Sequence, residues 1–99
     1  MITVLLPAAL RSLADERVQI ELKDSGSTVK GTLGAVFNRY PWLRDRILNE
    51  EGEVRHHVNI FVGEESIRFR EGLQTPVADG ETVSIIPAVS GGSVDSNRG

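Results

Sequence analysis

One stretch of the chain has the periodicity of a long amphipathic helix, and that constrains the fold more than any other feature. Val29, Leu33, Val36, Phe37 and Tyr40 recur at helical spacing. Thr28 precedes them as a helix N-cap candidate, and Pro41 stops the run. The spacing predicts a helix from Val29 to Tyr40. Gly31 and Gly34 lie inside it and weaken it by roughly 1 kcal/mol each relative to alanine. Close packing of the helix against a sheet would account for them. The other regular segments read mainly as strands. One helix covers one face of one sheet, so the chain is bound to a helix laid across a single sheet.

The strands follow from alternation. Ile2, Val4 and Leu6 share one face of a first strand, and Thr3 and Leu5 share the other. Pro7 stops it. From Ala8 to Asp15 the pattern is ambiguous, with Leu10 and Leu13 at helical spacing in a short stretch. Val18, Ile20 and Leu22 alternate with Gln19, Glu21 and Lys23 as a half-buried strand. Asp24-Ser25-Gly26-Ser27 is a turn after it, and the first two strands make an antiparallel pair. Beyond the helix, Trp42, Leu43, Ile47 and Leu48 are expected in a short turn covering the core edge. His57 to Val62 is a strand, Gly63-Glu64 a two-residue hairpin turn, and Ser66 to Phe69 a short returning strand. Gly72 to Ala78 is a loop, Asp79-Gly80 a turn, and Thr82 to Ile86 the last strand, which Pro87 ends.

This order gives an α+β chain with a mixed five-stranded sheet and one main helix, the arrangement of a β-grasp, or ubiquitin-like, fold. The first and last strands would be parallel neighbours at the centre, which accounts for their apolar content. The expected core is Ile2, Val4, Val18, Ile20, Leu33, Val36, Val58, Ile60, Val83 and Ile85. Residues 1–90 form the domain, and residues 91–99 a flexible tail.

Ninety-nine residues, 39% of them hydrophobic, bury one modest core and leave little room for an enclosed active site. A binding module or carrier fits better than an enzyme. The formal net charge is -3 with no basic cluster, which argues against nucleic acid as a partner. There is no cysteine, hence no disulfide, thiol nucleophile or zinc–thiolate site. No segment approaches the roughly 20 apolar residues of a membrane span. The N-terminus runs into a strand without a basic leader, so a cytoplasmic chain without a membrane partner is expected.

Few residues point to chemistry. His56 and His57 would face opposite sides of a strand, so they read as surface residues rather than shared metal ligands. Glu50, Glu51, Glu53, Glu64 and Glu65 fall in loops and read as solvated faces. Arg68-Phe69-Arg70 either docks an acidic partner or guards an edge strand with charge. If Val83 and Ile85 face the core, Ile86 faces outward, as does Leu5 on the neighbouring strand. Two exposed apolar residues there suggest a docking patch beside the tail. Last comes Gly91-Gly92. With 10 glycines in the chain a Gly-Gly pair is expected by chance, so its position just after the final strand carries the signal. A tail narrowing to two residues without side chains can enter a tight slot in another protein.

Several segments together resemble the MoaD/ThiS family of ubiquitin-like sulfur carriers. They are Val58-Asn59-Ile60-Phe61-Val62, Arg68-Phe69, Gly72-Leu73, Thr75-Pro76, Asp79-Gly80 and Ile86-Pro87-Ala88-Val89-Ser90-Gly91-Gly92. Within the family the chain looks closest to the carriers that supply sulfur for cysteine synthesis, then to the small subunit of molybdopterin synthase. The resemblance implies a carrier that is not itself an enzyme and binds no cofactor. A partner resembling ubiquitin-activating enzymes would use ATP to adenylate the Gly92 carboxylate. A sulfur donor would convert the adenylate to a thiocarboxylate, and an acceptor synthase would take the sulfur. Ser90 and Gly91 would belong to the inserted tail, and Leu5, Ile86, Pro87 and Arg68 to the partner-binding surface.

The family's mature chains end at the diglycine, whereas seven residues follow Gly92 here. While they remain, the Gly92 carbonyl is an ordinary amide. Either a peptidase removes them, as a zinc metalloprotease does for some carriers of this type, or they are an expression remnant, or the chain does different work. The different work would be that of a ubiquitin-like modifier or interaction module joined through Gly92 to lysine.

Overall fold

The helix expected from the Val29 to Tyr40 periodicity forms as α1, Val29–Arg39. It begins because Thr28, extended at φ -133°, accepts a hydrogen bond on Oγ1 from the Gly31 N–H at 3.1 Å. It ends where Tyr40 leaves helical geometry ahead of Pro41. The computed structural model describes residues 1–23 and 28–87, so the turn read at 24–27 and the chain beyond Pro87 lie outside the described residues.

Five strands form one mixed sheet: β1 (Ile2–Leu5), β2 (Gln19–Leu22), β3 (Val58–Val62), β4 (Glu65–Ser66) and β5 (Thr82–Pro87), in the order β2-β1-β5-β3-β4. β1 and β5 are parallel neighbours at the centre, with Val4 opposite Val83. The remaining pairs are antiparallel. The Asp79-Gly80 turn fixes the start of β5: the Gly80 N–H donates to the Met1 carbonyl at 2.8 Å, and Asp79 pairs with the N-terminal ammonium. Gly80 takes φ +91° there, a conformation that favours glycine. Gly63-Glu64 is the two-residue β3–β4 connection, with Gly63 at φ +63°.

Alternate residues of all four longer strands face α1. Ile2, Val4, Ile20, Val58, Ile60, Val83 and Ile85 are buried with Leu33 and Val36 of the helix. A 3-10 turn at Pro41–Leu43 and the one-turn helix α2 (Arg44–Ile47) close the core edge with Leu43 and Ile47. The ambiguous stretch after Pro7 is a 3-10 helix, Ala8–Ala14, burying Ala14.

Five expectations need correction. Val18 is not core but 55% exposed: it lies past the last β1–β2 pair, Leu5 with Gln19, where its carbonyl accepts from the Leu6 N–H at 2.9 Å but its side chain is left uncovered. Trp42 does not cover the core edge; it points away at 75% exposed while Leu43 turns in. Gly31 and Gly34 are on the exposed side of α1, and a Cβ at Gly34 would meet nothing within 4 Å, so helix–sheet packing does not explain them. His56 and His57 precede β3 in a turn, so strand alternation does not orient them. The returning strand is only Glu65–Ser66, and Ile67–Phe69 is a 3-10 turn in which Ser66 Oγ accepts from the Arg68 N–H at 3.3 Å.

Candidate functional site

β5 is hydrogen-bonded on both sides, to β1 and to β3, and its last pair joins Pro87 to Val58. Proline lacks an N–H for a ladder, which suits the last position of a strand. Pro87 is exposed and marks the root from which the rest of the chain departs. Ser90, Gly91 and Gly92 lie outside the described residues.

The outer face of the sheet adjoins this root. Register places Leu5 opposite Ser84, Ser84 opposite Phe61, and Ile86 opposite Asn59. Leu5, Ser84 and Phe61 therefore form one row across three strands, with Ile86 two residues beyond Ser84 toward the root. Ile86 is 44% exposed, as its outward alternation predicts. Leu5 faces outward but is half-buried rather than solvent-exposed, because β1 is an interior strand with Gln19 and Ser84 on either side. Phe61 joins the patch expected from Leu5 and Ile86 alone. Its alternation within Val58–Val62 already put it on the outer face; only the strand order puts it beside Ser84.

Arg68 is an exposed residue of a turn rather than of an edge strand. Its Nη2 donates to the carbonyls of His56 at 3.2 Å and Val58 at 3.1 Å, stapling the turn to the start of β3. Since Val58 pairs with Pro87, the guanidinium lies one strand away from the tail root. The edge-guarding alternative fails, because no strand runs through Arg68. Its charge remains at the surface while its geometry is fixed by backbone. Among the described residues no cluster of three or more His, Asp or Glu could hold a metal ion. No helix among them is long and apolar enough to cross a membrane.

A mixed five-stranded sheet with parallel central strands and one main covering helix defines a ubiquitin-like β-grasp protein. Comparison with solved structures agrees. A chain in the crystal structure of the Amycolatopsis orientalis BexX/CysO complex matches with a TM-score of 0.84 and 35% identity, over 93% of this chain and 100% of that one. A profile of the ThiS family matches residues 4–92, and the chain belongs to that family of ubiquitin-like sulfur carriers. It is 33% identical over 93 residues to the sulfur carrier protein CysO of Mycobacterium tuberculosis, spanning 92% of this chain and 98% of that protein. It is also 35% identical over 69 residues to small archaeal modifier protein 3 of Haloferax volcanii, spanning 70% of this chain and 74% of that protein.

Proposed function

We propose that this chain carries sulfur as a thiocarboxylate on Gly92, formed after residues 93–99 are removed, and delivers it to a biosynthetic acceptor, with cysteine formation the favoured destination. The carrying observation is the extent of the family match, which runs through the domain and stops at residue 92, the second glycine. The 33% identity to the CysO carrier supports the cysteine branch over molybdopterin synthesis.

The chemistry belongs to partners. The Gly92 carboxylate attacks the α-phosphorus of ATP on an adenylating enzyme, expelling pyrophosphate and leaving an acyl adenylate. A sulfide-class nucleophile adds to the acyl carbon, AMP departs with the C–O electron pair, and the thiocarboxylate remains. Its sulfur then attacks an electrophilic carbon of the acceptor held by a synthase, whose leaving group departs with the bonding pair. Hydrolysis of the resulting thioester breaks the acyl C–S bond, returns the Gly92 carboxylate and leaves the sulfur on the product. The six residues from Pro87 to Gly92 span at most about 20 Å, enough to cross from the sheet edge into a partner's channel. Glycines at the end keep that channel narrow. Leu5, Phe61, Ile86, Pro87 and Arg68 supply the surface the partner holds.

Intact mass spectrometry tests this with the adenylating partner, ATP and sulfide. A chain stopped after Gly92 should gain about 16 Da, the exchange of one oxygen for sulfur at an activated acyl group. The full chain should not react until residues 93–99 are removed. Gly92→Ala in the stopped chain should lose the reaction, since a methyl group enters a channel shaped for none. Equal reaction of the full chain would place the chemistry on Gly99 and refute the proposal. The likeness to small archaeal modifier protein 3 supports a second reading as a protein modifier, which would instead produce conjugate bands with acceptor proteins.

A further inference from the structure

The tail root has a second side. On the helix face of the sheet, opposite Ile86, a cavity of about 190 Å³ opens beside Pro87. Val58 and Ile85 line it from the sheet, and Pro7 and Leu10 from the connection after β1. Ala9, Arg46 and His57, all exposed, complete the lining with Pro87. An apolar cavity of roughly 150 Å³ accommodates benzene, so this one admits a single side chain of leucine or phenylalanine size.

Next to it lies an open depression lined by Asp45, Arg46, Arg55 and His57, which shares Arg46 and His57 with the cavity. The charges there run against the chain's formal net charge of -3. Arg55 Nε donates to the Asp45 carbonyl at 2.7 Å, which fixes the guanidinium without neutralising it. The Asp45 carboxylate turns to Arg44, at 3.6 Å. Arg46 makes no ion pair among the described residues. Two guanidinium groups, with His57 as a further polar neighbour, thus stand beside an apolar hole large enough for one side chain.

We infer that this pocket and its basic shelf are a second docking surface, which takes from a partner a peptide segment with one apolar side chain flanked by carboxylates. Charge complementarity selects the acidic flanks, and cavity size selects the single anchor. Pro87 is common to the pocket and the tail root, so a protein that receives the tail meets this surface on the helix side. The inference rests on the proposed function only for assigning the segment to the tail-receiving partner; the surface itself stands apart from sulfur chemistry.

The test is an NMR titration of the chain stopped after Gly92 with the capped peptide Asp-Glu-Leu-Asp-Glu. The capped peptides Asn-Gln-Leu-Asn-Gln and Asp-Glu-Gly-Asp-Glu serve as controls. Saturable shifts are expected at the amides of Ala9, Leu10, Arg46 and His57, with a Kd on the order of 1 mM or tighter for so short a peptide. Either control should bind at least several-fold more weakly. Arg46→Glu, an exposed substitution, should weaken binding about tenfold and leave the urea midpoint unchanged. No shifts at these residues, shifts on the Leu5, Phe61 and Ile86 face instead, or equal binding of the neutral peptide would overturn the inference. Shift differences between the full chain and the stopped chain at these same residues, without peptide, would give the pocket to residues 93–99 and overturn the partner assignment. Because no ATP or sulfide is present, these results are independent of whether Gly92 accepts sulfur.

Discussion

Ile85 and Ile86 are neighbours in sequence on opposite faces of β5, and aspartate at each position should produce opposite phenotypes. Ile85 is 2% exposed and Ile86 44%. Full burial of an isoleucine is worth roughly 1.5–3 kcal/mol, so the half-covered Ile86 side chain has on the order of 1 kcal/mol at stake in the free protein. The weaker strand preference of aspartate adds up to about 1 kcal/mol. A loss near 2 kcal/mol against a domain stability of about 5–15 kcal/mol leaves Ile86→Asp folded. Its melting temperature should fall by roughly 8–16 °C. Ile85→Asp removes a core side chain, worth about 2–5 kcal/mol. It also buries a carboxylate without a partner, at several kcal/mol more, so this variant should not fold. The docking consequence is read by calorimetric titration against the adenylating partner. Loss of an interface anchor worth about 2 kcal/mol weakens binding roughly thirtyfold. Urea melts followed by circular dichroism supply the stability half. If Ile86→Asp unfolds the domain, the face assignment is wrong; if it folds and binds with wild-type affinity, the outer face is not the docking surface.

Thr28→Ala removes the Oγ1 acceptor from the Gly31 N–H and should cost about 1 kcal/mol in urea unfolding, with Thr28→Ser retaining most of it. Gly34→Ala should stabilise the domain by about 0.4–1 kcal/mol, since its Cβ meets nothing within 4 Å and the helix loses one of its two glycines. A destabilised Gly34→Ala protein would mean that something packs closely on that side of α1.

Alternation made the faces of β1, β3 and β5 legible, and helical spacing with Thr28 and Pro41 located α1 to within one residue at its C-terminal end. The errors share a cause: local patterns assign a face, but coverage depends on what lies across the sheet. Val18 has a core pattern and stays exposed beyond the last β1–β2 pair, although the Leu6 N–H still donates to its carbonyl at 2.9 Å. Leu5 has an outward pattern and is half-covered because strands flank it on both sides. Phe61 became part of the patch only through the adjacency of β3 and β5, which is a long-range fact. Ile67–Phe69 alternates like a strand, yet the Ser66 hydroxyl captures the Arg68 N–H and bends the chain into a 3-10 turn. Glycines inside a helix suit close packing in sequence, yet Gly34 faces open space, and that depends on which side of α1 meets the sheet.

The position of β5 matters more to a carrier than any cleft would. A strand at a sheet edge could be peeled away when its terminus is drawn into another protein. β5 is held by β1 on one side and β3 on the other, and the ladder to β3 persists up to Pro87. The root is therefore held, and under the proposed function only the residues after it, a span of at most about 20 Å to Gly92, would have to enter the partner's channel. Ile86 lies one residue before that root. Under the proposed function, binding through the outer face would bring Gly92 within reach of a channel, and tail entry would become an intramolecular step at a high effective concentration. On this reasoning the damage done by Ile86→Asp should fall on the carrier concentration needed for half-maximal activation, while the rate at saturating carrier stays near wild type. A variant that loses saturating rate and keeps its half-maximal concentration would show that the outer face takes part in the chemical step instead.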